Sequence, residues 1–190
     1  LLSGRFRSAD GSEVSKAIGK FANERGDQLV KAVVESIDPS NLIIDTDAYI
    51  KPKAPLTHTE DIGDVDVLII DKANKILYSL ECKSMSPTRN VKEMIEEVTK
   101  LFGENSSDKG WVEKHMTRHS WLEKNLSLVG QVYKADITGF KINSFFVTNE
   151  EMLTPHLRKQ ALPLPFITLY ALQKSGFSTL QKNYDHQLKK

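Results

Sequence analysis

The 190-residue sequence lacks several features that mark specialised classes of protein. It has one cysteine, Cys82, which excludes an internal disulfide framework and a thiol-based zinc site and suits a reducing compartment. It has no apolar run near the roughly 20 residues that span a bilayer, and no signal-peptide pattern at its start. We therefore expect a cytoplasmic protein that does not act in a membrane.

The sequence also lacks an excess of either charge. Lysine and arginine total 26, and aspartate and glutamate total 25, so any contact with nucleic acid must come from a local basic patch. Apolar residues make up 39% and charged residues 27%, which is typical of a folded domain with a full core. We predict a single domain over residues 1–190. Because the chain starts at Leu1 rather than methionine, we interpret it as excised from a longer protein, with residues 1–12 as a leader or linker.

The most informative stretch is GDVDVLIIDKANKILYSLECKS, residues 63–84. Two short runs rich in β-branched residues, 65–70 and 76–80, flank a polar segment that supplies turn residues, and this pattern predicts a β-hairpin. If residues 72–75 form a four-residue loop, Asp66 lies opposite Glu81 and Asp64 lies opposite Lys83. Since side chains alternate along a strand, these four charged groups share one face, within roughly 5 Å of their cross-strand neighbours.

Two opposed carboxylates repel each other and destabilise a sheet unless a cation holds them. Hard ions such as Mg²⁺ bind through one or two carboxylates and take further oxygens from phosphate groups. The hairpin therefore predicts a metal site suited to phosphodiester hydrolysis. The alternative is a structural network of ion pairs at the edge of the sheet, with Asp64 bound to Lys83.

The arrangement of Asp66 on the first strand and Glu81-Cys82-Lys83 at the end of the second resembles the PD-(D/E)-x-K nuclease superfamily, which includes restriction endonucleases, Holliday-junction resolvases and repair nucleases. The proline of the family name is absent, since Val65 precedes Asp66. The resemblance implies an α/β fold in which a mixed β-sheet is flanked by helices. Its restriction endonuclease-like core has the order α-β-β-β-α-β, with a helical insertion that we place at residues 104–136.

The resemblance also implies a set of site residues. Asp66, Glu81 and the backbone carbonyl of Cys82 would bind Mg²⁺, with Mn²⁺ as a substitute, and Lys83 would orient the attacking water. In this family a helix before the hairpin supplies another carboxylate near the metals. Glu24 is the better match by residue type, whereas Asp27 has the better apolar spacing behind it.

The function implied is a Mg²⁺-dependent endo- or exodeoxyribonuclease of DNA restriction, defence or repair. Cutting both strands would suit a homodimer, and such modules are commonly fused to specificity or motor domains. Two alternatives remain open. One is a nuclease-like module that binds DNA or a partner protein without cutting, and the other is a metal-dependent phosphohydrolase that acts on small nucleotides.

The rest of the chain predicts alternating helices and strands. Ser12 and Pro39 bound the first helix, which Gly19 and Gly26 could divide. The predicted helices cover residues 12–37, 90–102, 111–132 and 149–160, and the further strands cover 41–50, 141–148 and 163–171.

Helical stretch 111–132 contains a second group of candidate residues. Lys114 and Arg118, with Trp121, could line a face that binds the nucleic-acid backbone. The alternative is a helix whose aromatic residues are core and whose charges are solvated. His115 and His119 have the one-turn spacing of metal ligands, but no Glu follows the first as in H-E-x-x-H, so we do not predict a zinc site.

Overall fold

A computed structural model describes residues 11–104, 108–157 and 162–180, so most of the predicted leader lies outside the described residues. None of the helices in these ranges is long and apolar enough to cross a membrane. The elements, in chain order, are α1 Glu13–Glu35, β1 Leu42–Tyr49, β2 Asp64–Asp71, β3 Ile76–Lys83, α2 Val91–Phe102, α3 Trp111–Lys124, α4 Leu126–Val132, β4 Lys141–Thr148, α5 Thr154–Leu157, β5 Phe166–Thr168 and α6 Leu169–Ser175.

The five strands form one mixed sheet in the order β1-β2-β3-β4-β5. Strands β1, β2 and β3 pair antiparallel, whereas β4 and β5 continue the sheet in parallel. The hairpin ladder runs from Asp71–Ile76 to Val67–Leu80, which is the register that the four-residue loop predicts. The predicted α/β class with a mixed sheet and flanking helices is therefore confirmed.

Helices cover both faces of the sheet, and this explains why β2 and β3 are buried along most of their length. On one face, the apolar side of α1 packs against alternate residues of the hairpin: Leu29, Val33, Val67, Ile69, Tyr78 and Leu80. On the other face, α3 and α4 pack against the intervening residues: Trp121, Leu122, Val129, Leu68, Ile70 and Leu77. Alternation along the strands therefore directs Asp66, Glu81 and Lys83 toward the face that α3 covers.

Helix α1 is continuous from Glu13 to Glu35 rather than divided at its glycines. It begins where the Ser12 side chain accepts a hydrogen bond from the Ser15 backbone N–H, over 3.1 Å. A Cβ atom at Gly19 or Gly26 would meet nothing within 4 Å, so both glycines lie away from the core. Burial of the opposite side of the helix outweighs their low helix propensity.

The structure differs from the predicted elements in three places. The stretch 111–132 divides into α3 and α4 at Asn125, whose side-chain amide donates to the Trp121 carbonyl over 2.7 Å. The helix predicted at 149–160 is reduced to Thr154–Leu157, and its residues 158–160 lie outside the described ranges. The strand predicted at 163–171 ends at Thr168, where α6 begins.

The Thr168 hydroxyl explains the last of these differences, because it accepts a hydrogen bond from the Ala171 N–H over 3.2 Å and caps α6. We expect Thr168→Ala to lower the free energy of unfolding by about 1 kcal/mol, the usual value of a helix N-cap. Urea unfolding measures this change. Thr168→Ser keeps the hydroxyl and is the control, so an equal loss in both variants would show that the cap contributes nothing.

Candidate active site

Three charged residues predicted from the hairpin meet at the carboxyl end of β3. The Lys83 ammonium lies 2.7 Å from Glu81 Oε1 and 3.7 Å from Asp66 Oδ2. The Cys82 backbone N–H donates to the same Asp66 oxygen over 2.6 Å, which fixes that carboxylate against β3. The Lys83 and Asp66 side chains are 24% and 17% exposed, and Glu81 is 7% exposed. Solvent therefore reaches Lys83 and Asp66 first, with Glu81 beneath them.

Arg118 of α3 holds the buried side of Glu81. Its Nη2 donates to Glu81 Oε2, and its Nη1 donates to the Ile62 carbonyl over 3.2 Å. A Cβ atom at Gly63 would lie 3.2 Å from Nη1, so the lack of a side chain there gives the guanidinium room. Glu81 thus has one cationic partner on each carboxylate oxygen, Lys83 on Oε1 and Arg118 on Oε2.

Two of the three residues considered for a phosphate-binding face of α3 are buried, which for Trp121 agrees with the alternative of a core aromatic residue. Arg118 is 5% exposed and Trp121 is 7% exposed, so both belong to the buried side of the helix, whereas Lys114 is exposed. A signal for this was present in the sequence. Arg118 follows Val112 and His115 at the three-residue spacing of one helix face, which indicates that the three side chains are buried together. Arginine is usually exposed, and for this reason the burial of Arg118 was not predicted.

The two histidines of α3 have different hydrogen-bond partners. His115 Nε2 lies 3.2 Å from the Phe145 carbonyl, and its Nδ1 lies 3.9 Å from Glu81 Oε2. Burial lowers the pKa of His115 to about 4, so the ring is neutral behind Glu81. His119 Nδ1 lies 2.8 Å from the hydroxyl of Ser144, which is itself fully buried. These contacts support packing of α3 on β4.

Burial and neighbouring charges separate the pKa values of the two carboxyl groups. Burial, and then the charge of Glu81, raise the pKa of Asp66 to about 6, although Lys83 opposes this. Burial also tends to raise the pKa of Glu81, but Lys83 and Arg118 outweigh it, and the pKa falls below its usual value. Burial tends to lower the pKa of Lys83, but the two carboxylates raise it overall. Glu81 is therefore ionised, Lys83 remains a cation, and Asp66 is the group whose charge is least compensated.

The carboxylate expected from the first helix does not join this cluster. Glu24 is 54% exposed and lies 3.9 Å from Lys20 on the same helix. Helix α1 packs on the opposite face of the sheet from Arg118. Within residues 11–104, 108–157 and 162–180, no three His, Cys, Asp or Glu side chains form a ready metal-binding group. The other candidate, Asp27, lies close enough to Asp47 to raise the pKa of that residue, after burial and Asp64.

Asp64 has a different neighbour from the one expected. It pairs with Tyr49 of β1, and no ion pair joins it to Lys83 in the part of the chain that the structure describes. The ladder between β2 and β3 ends at Val67–Leu80, so the two strands no longer pair at Asp64. The charge of Asp64 still contributes to the raised pKa of Asp66.

The oxygens at the end of the hairpin are the type that a hard divalent cation prefers. Asp66 Oδ1 accepts no hydrogen bond from any described residue, since the contacts of this side chain are all to Oδ2. The raised pKa of Asp66 shows that its negative charge would be stabilised by a further cation. By the type of their donor atoms, Asp66, Glu81 and the Cys82 carbonyl would hold a single Mg²⁺ or Mn²⁺ ion, for which Lys83 would have to release Glu81 Oε1.

No family model matches the sequence, and no curated protein matches it. Among solved structures, the chain is similar to the small subunit (R.BspD6I2) of the heterodimeric restriction endonuclease R.BspD6I, with 14% identity over 88% of this chain and 94% of that chain. The TM-score is 0.32, which is too low to establish a common fold. The functional conclusion therefore depends on the geometry of the cluster itself.

Proposed function

We propose that this protein is a metal-dependent nuclease that hydrolyses phosphodiester bonds of DNA, with Asp66, Glu81 and Lys83 as its catalytic residues. The observation that carries this proposal is the position of the Lys83 ammonium, 2.7 Å from one carboxylate and 3.7 Å from the other, at a partly exposed edge of the site. A partly exposed carboxyl group whose pKa is raised to about 6 by burial and a neighbouring charge is typical of a functional site. A site that binds a cation and a phosphate would use it.

The chain's own residues supply positioning and charge. A Mg²⁺ or Mn²⁺ ion held by Asp66, Glu81 and the Cys82 carbonyl would polarise the phosphate and lower the pKa of a bound water. Lys83 remains protonated beside its two carboxylates, so it orients the water and stabilises negative charge on the phosphate rather than removing a proton. The water oxygen bonds to phosphorus, the phosphorus–oxygen ester bond breaks, and the water's proton passes through solvent to the leaving oxygen. The products are a phosphate monoester and a free hydroxyl. Glu24 has no part in this proposal.

A second function is favoured by one observation. Both oxygens of Glu81 are engaged by cations of the protein, Lys83 and Arg118. The cluster is therefore close to neutral without a metal, as in a nuclease-like module that binds DNA without cutting it. Cleavage itself distinguishes the two functions.

We expect the purified protein to cleave DNA with Mg²⁺ or Mn²⁺ and not with EDTA. Glu81→Ala and Lys83→Ala should each lower the cleavage rate by about 10²-fold or more, the usual loss when one preorganised charged group is removed from a phosphoryl-transfer site. Single-stranded and double-stranded DNA should both be tested, with product formation followed on gels.

The matched controls are Glu35→Ala and Lys31→Ala, an exposed pair of the same residue types on α1. Both should retain the wild-type rate. Equal cleavage by wild type, Glu81→Ala and Lys83→Ala would indicate a contaminating nuclease and contradict the proposal. DNA binding without cleavage under any metal would establish the binding module instead.

A further inference from the structure

A groove of about 850 Å³ lies between residues 57–62 and helix α3. Its helical wall includes Glu113, Thr117, Ser120 and Lys124, which follow one another at the three- and four-residue spacing of a single helix face. The volume falls in the range of sites that hold a small organic ligand. The groove is therefore large enough for a small ligand and lies, open to solvent, on the face of the sheet that carries Glu81.

The lining of the groove combines an apolar floor with unused hydroxyl groups. Ile62 and Met116 contribute apolar surface. The hydroxyls of Thr57, Thr59 and Ser120 have no hydrogen-bond partner among the described residues. Hydroxyls that can both donate and accept suit the edge of a nucleobase or a sugar, and the apolar floor suits the face of a base.

The charges of the groove suit one phosphate rather than many. Lys124 forms no ion pair with any residue in the described ranges, whereas Glu113 lies 3.6 Å from Lys109 and is compensated. Lys124 is thus available to pair with one phosphate. A surface that follows the backbone of a duplex neutralises several phosphates with several cations. One cation beside neutral hydrogen-bonding groups fits a single nucleotide.

The floor of the groove and the catalytic cluster are connected by one side chain. Ile62 lines the groove, and its carbonyl accepts a hydrogen bond from Arg118 Nη1 over 3.2 Å. The other terminal nitrogen of Arg118 donates to Glu81. The groove and the Glu81 carboxylate therefore lie on two sides of the same guanidinium. A nucleotide in the groove would therefore be separated from the catalytic cluster by the Arg118 side chain.

We propose that this groove holds an unpaired nucleotide next to the phosphate that is cut, so that the substrate class is single-stranded DNA. The inference depends on the proposed function for its reaction, but the binding site is independent of cleavage. The base lies on Ile62 and Met116, the hydroxyls of Thr59 and Ser120 contact its polar edge, and Lys124 pairs with a phosphate. A base in a continuous duplex is stacked and paired and cannot enter without being flipped out.

Binding is measured by fluorescence anisotropy of a short labelled oligothymidylate in EDTA, where no metal-dependent cleavage occurs. We expect the single strand to bind at least tenfold more tightly than a blunt duplex of the same length. Ser120→Trp fills the groove, and Lys124→Gln removes its cation. Each should weaken single-strand binding by about fivefold or more, as expected for the loss of one base or phosphate contact.

The controls are Ser127→Trp and Lys92→Gln, which change exposed residues outside the groove and should remain within twofold of wild type. Circular dichroism shows whether each variant is folded. If Ser120→Trp does not fold, Lys124→Gln, which changes an exposed position, still tests the proposal. Equal affinity for single strand and duplex, or unchanged affinity in the folded groove variants, overturns this proposal. If the variants lose binding but wild type cleaves no DNA with any metal, the groove stands and the nuclease proposal fails.

Discussion

Arg118→Met is expected to lower the free energy of unfolding by about 3–5 kcal/mol, the cost of removing one partner from a buried ion pair. Arg118 and Glu81 are both nearly inaccessible to solvent. Without the guanidinium, Glu81 Oε2 loses its cation, and the Ile62 carbonyl loses a donor. Urea unfolding, followed by circular dichroism with EDTA present, measures the change.

Two further variants test whether the lost stability comes from leaving the Glu81 charge buried without its partner. Glu81→Met combined with Arg118→Met should recover most of the lost stability, because replacing both members of a buried pair with apolar groups is often neutral. Arg89→Met, which removes one partner of an exposed pair with Glu93, should cost less than about 1 kcal/mol. Arg118→Met with wild-type stability would show that the buried pair is not formed in solution.

Asp66→Asn is expected to stabilise the metal-free protein while abolishing cleavage. The pKa of Asp66 rises from 3.8 to about 6 on folding, and at 1.36 kcal/mol per pKa unit this costs ~3 kcal/mol once the carboxyl group is ionised. Asparagine removes that cost and keeps an oxygen that can accept from the Cys82 N–H. The same substitution removes a proposed metal ligand, so stability and activity should change in opposite directions.

The dependence on pH follows from the sign of this shift. The folded protein binds the Asp66 proton more tightly than the unfolded chain does. The contribution of Asp66 to the free energy of unfolding of the wild type therefore falls as pH rises from about 4 to about 6. The advantage of Asp66→Asn should therefore be largest above pH 6 and vanish near pH 4. Urea unfolding across this range tests it, with the exposed Glu150→Gln as control.

The effect of Mg²⁺ on the melting temperature should also differ between wild type and Asp66→Asn. Mg²⁺ should raise the melting temperature of wild type, since a ligand that binds only the folded state stabilises it, but should leave that of Asp66→Asn unchanged. An Asp66→Asn protein that is less stable than wild type at pH 8 in EDTA would mean that the Asp66 carboxylate is well compensated, contrary to its raised pKa.

The charged hairpin was predictable from the sequence because its determinants are local. The polar residues 72–75 set the turn, the turn sets the register, and the register brings Asp66 toward Glu81. The identity of the Glu81 partner was not predictable in this way. Arg118 is 37 positions away along the chain, and only packing of α3 on the sheet brings its guanidinium to the carboxylate.

The other differences between prediction and structure have the same cause, since local patterns do not show which distant segments pack together. Glu24 matched the expected residue type, but a residue type does not show which face of a sheet a helix will cover. The segment 163–171 is apolar, and a short apolar run does not distinguish a strand from a buried helix. Thr168 was a readable cap signal there. The groove has walls from residues 57–62 and α3, and no local pattern relates two such segments.

The contact between Arg118 and Glu81 has a consequence for any attempt to shorten this protein. Helices α3 and α4 lie between α2 and β4 in the chain, and this segment is the obvious candidate for deletion in a shortened variant. Deleting both helices would remove Arg118, the buried ion-pair partner of Glu81. It would also expose the apolar side chains of Leu68, Ile70 and Leu77 to water. We therefore expect shortened variants to aggregate rather than to fold.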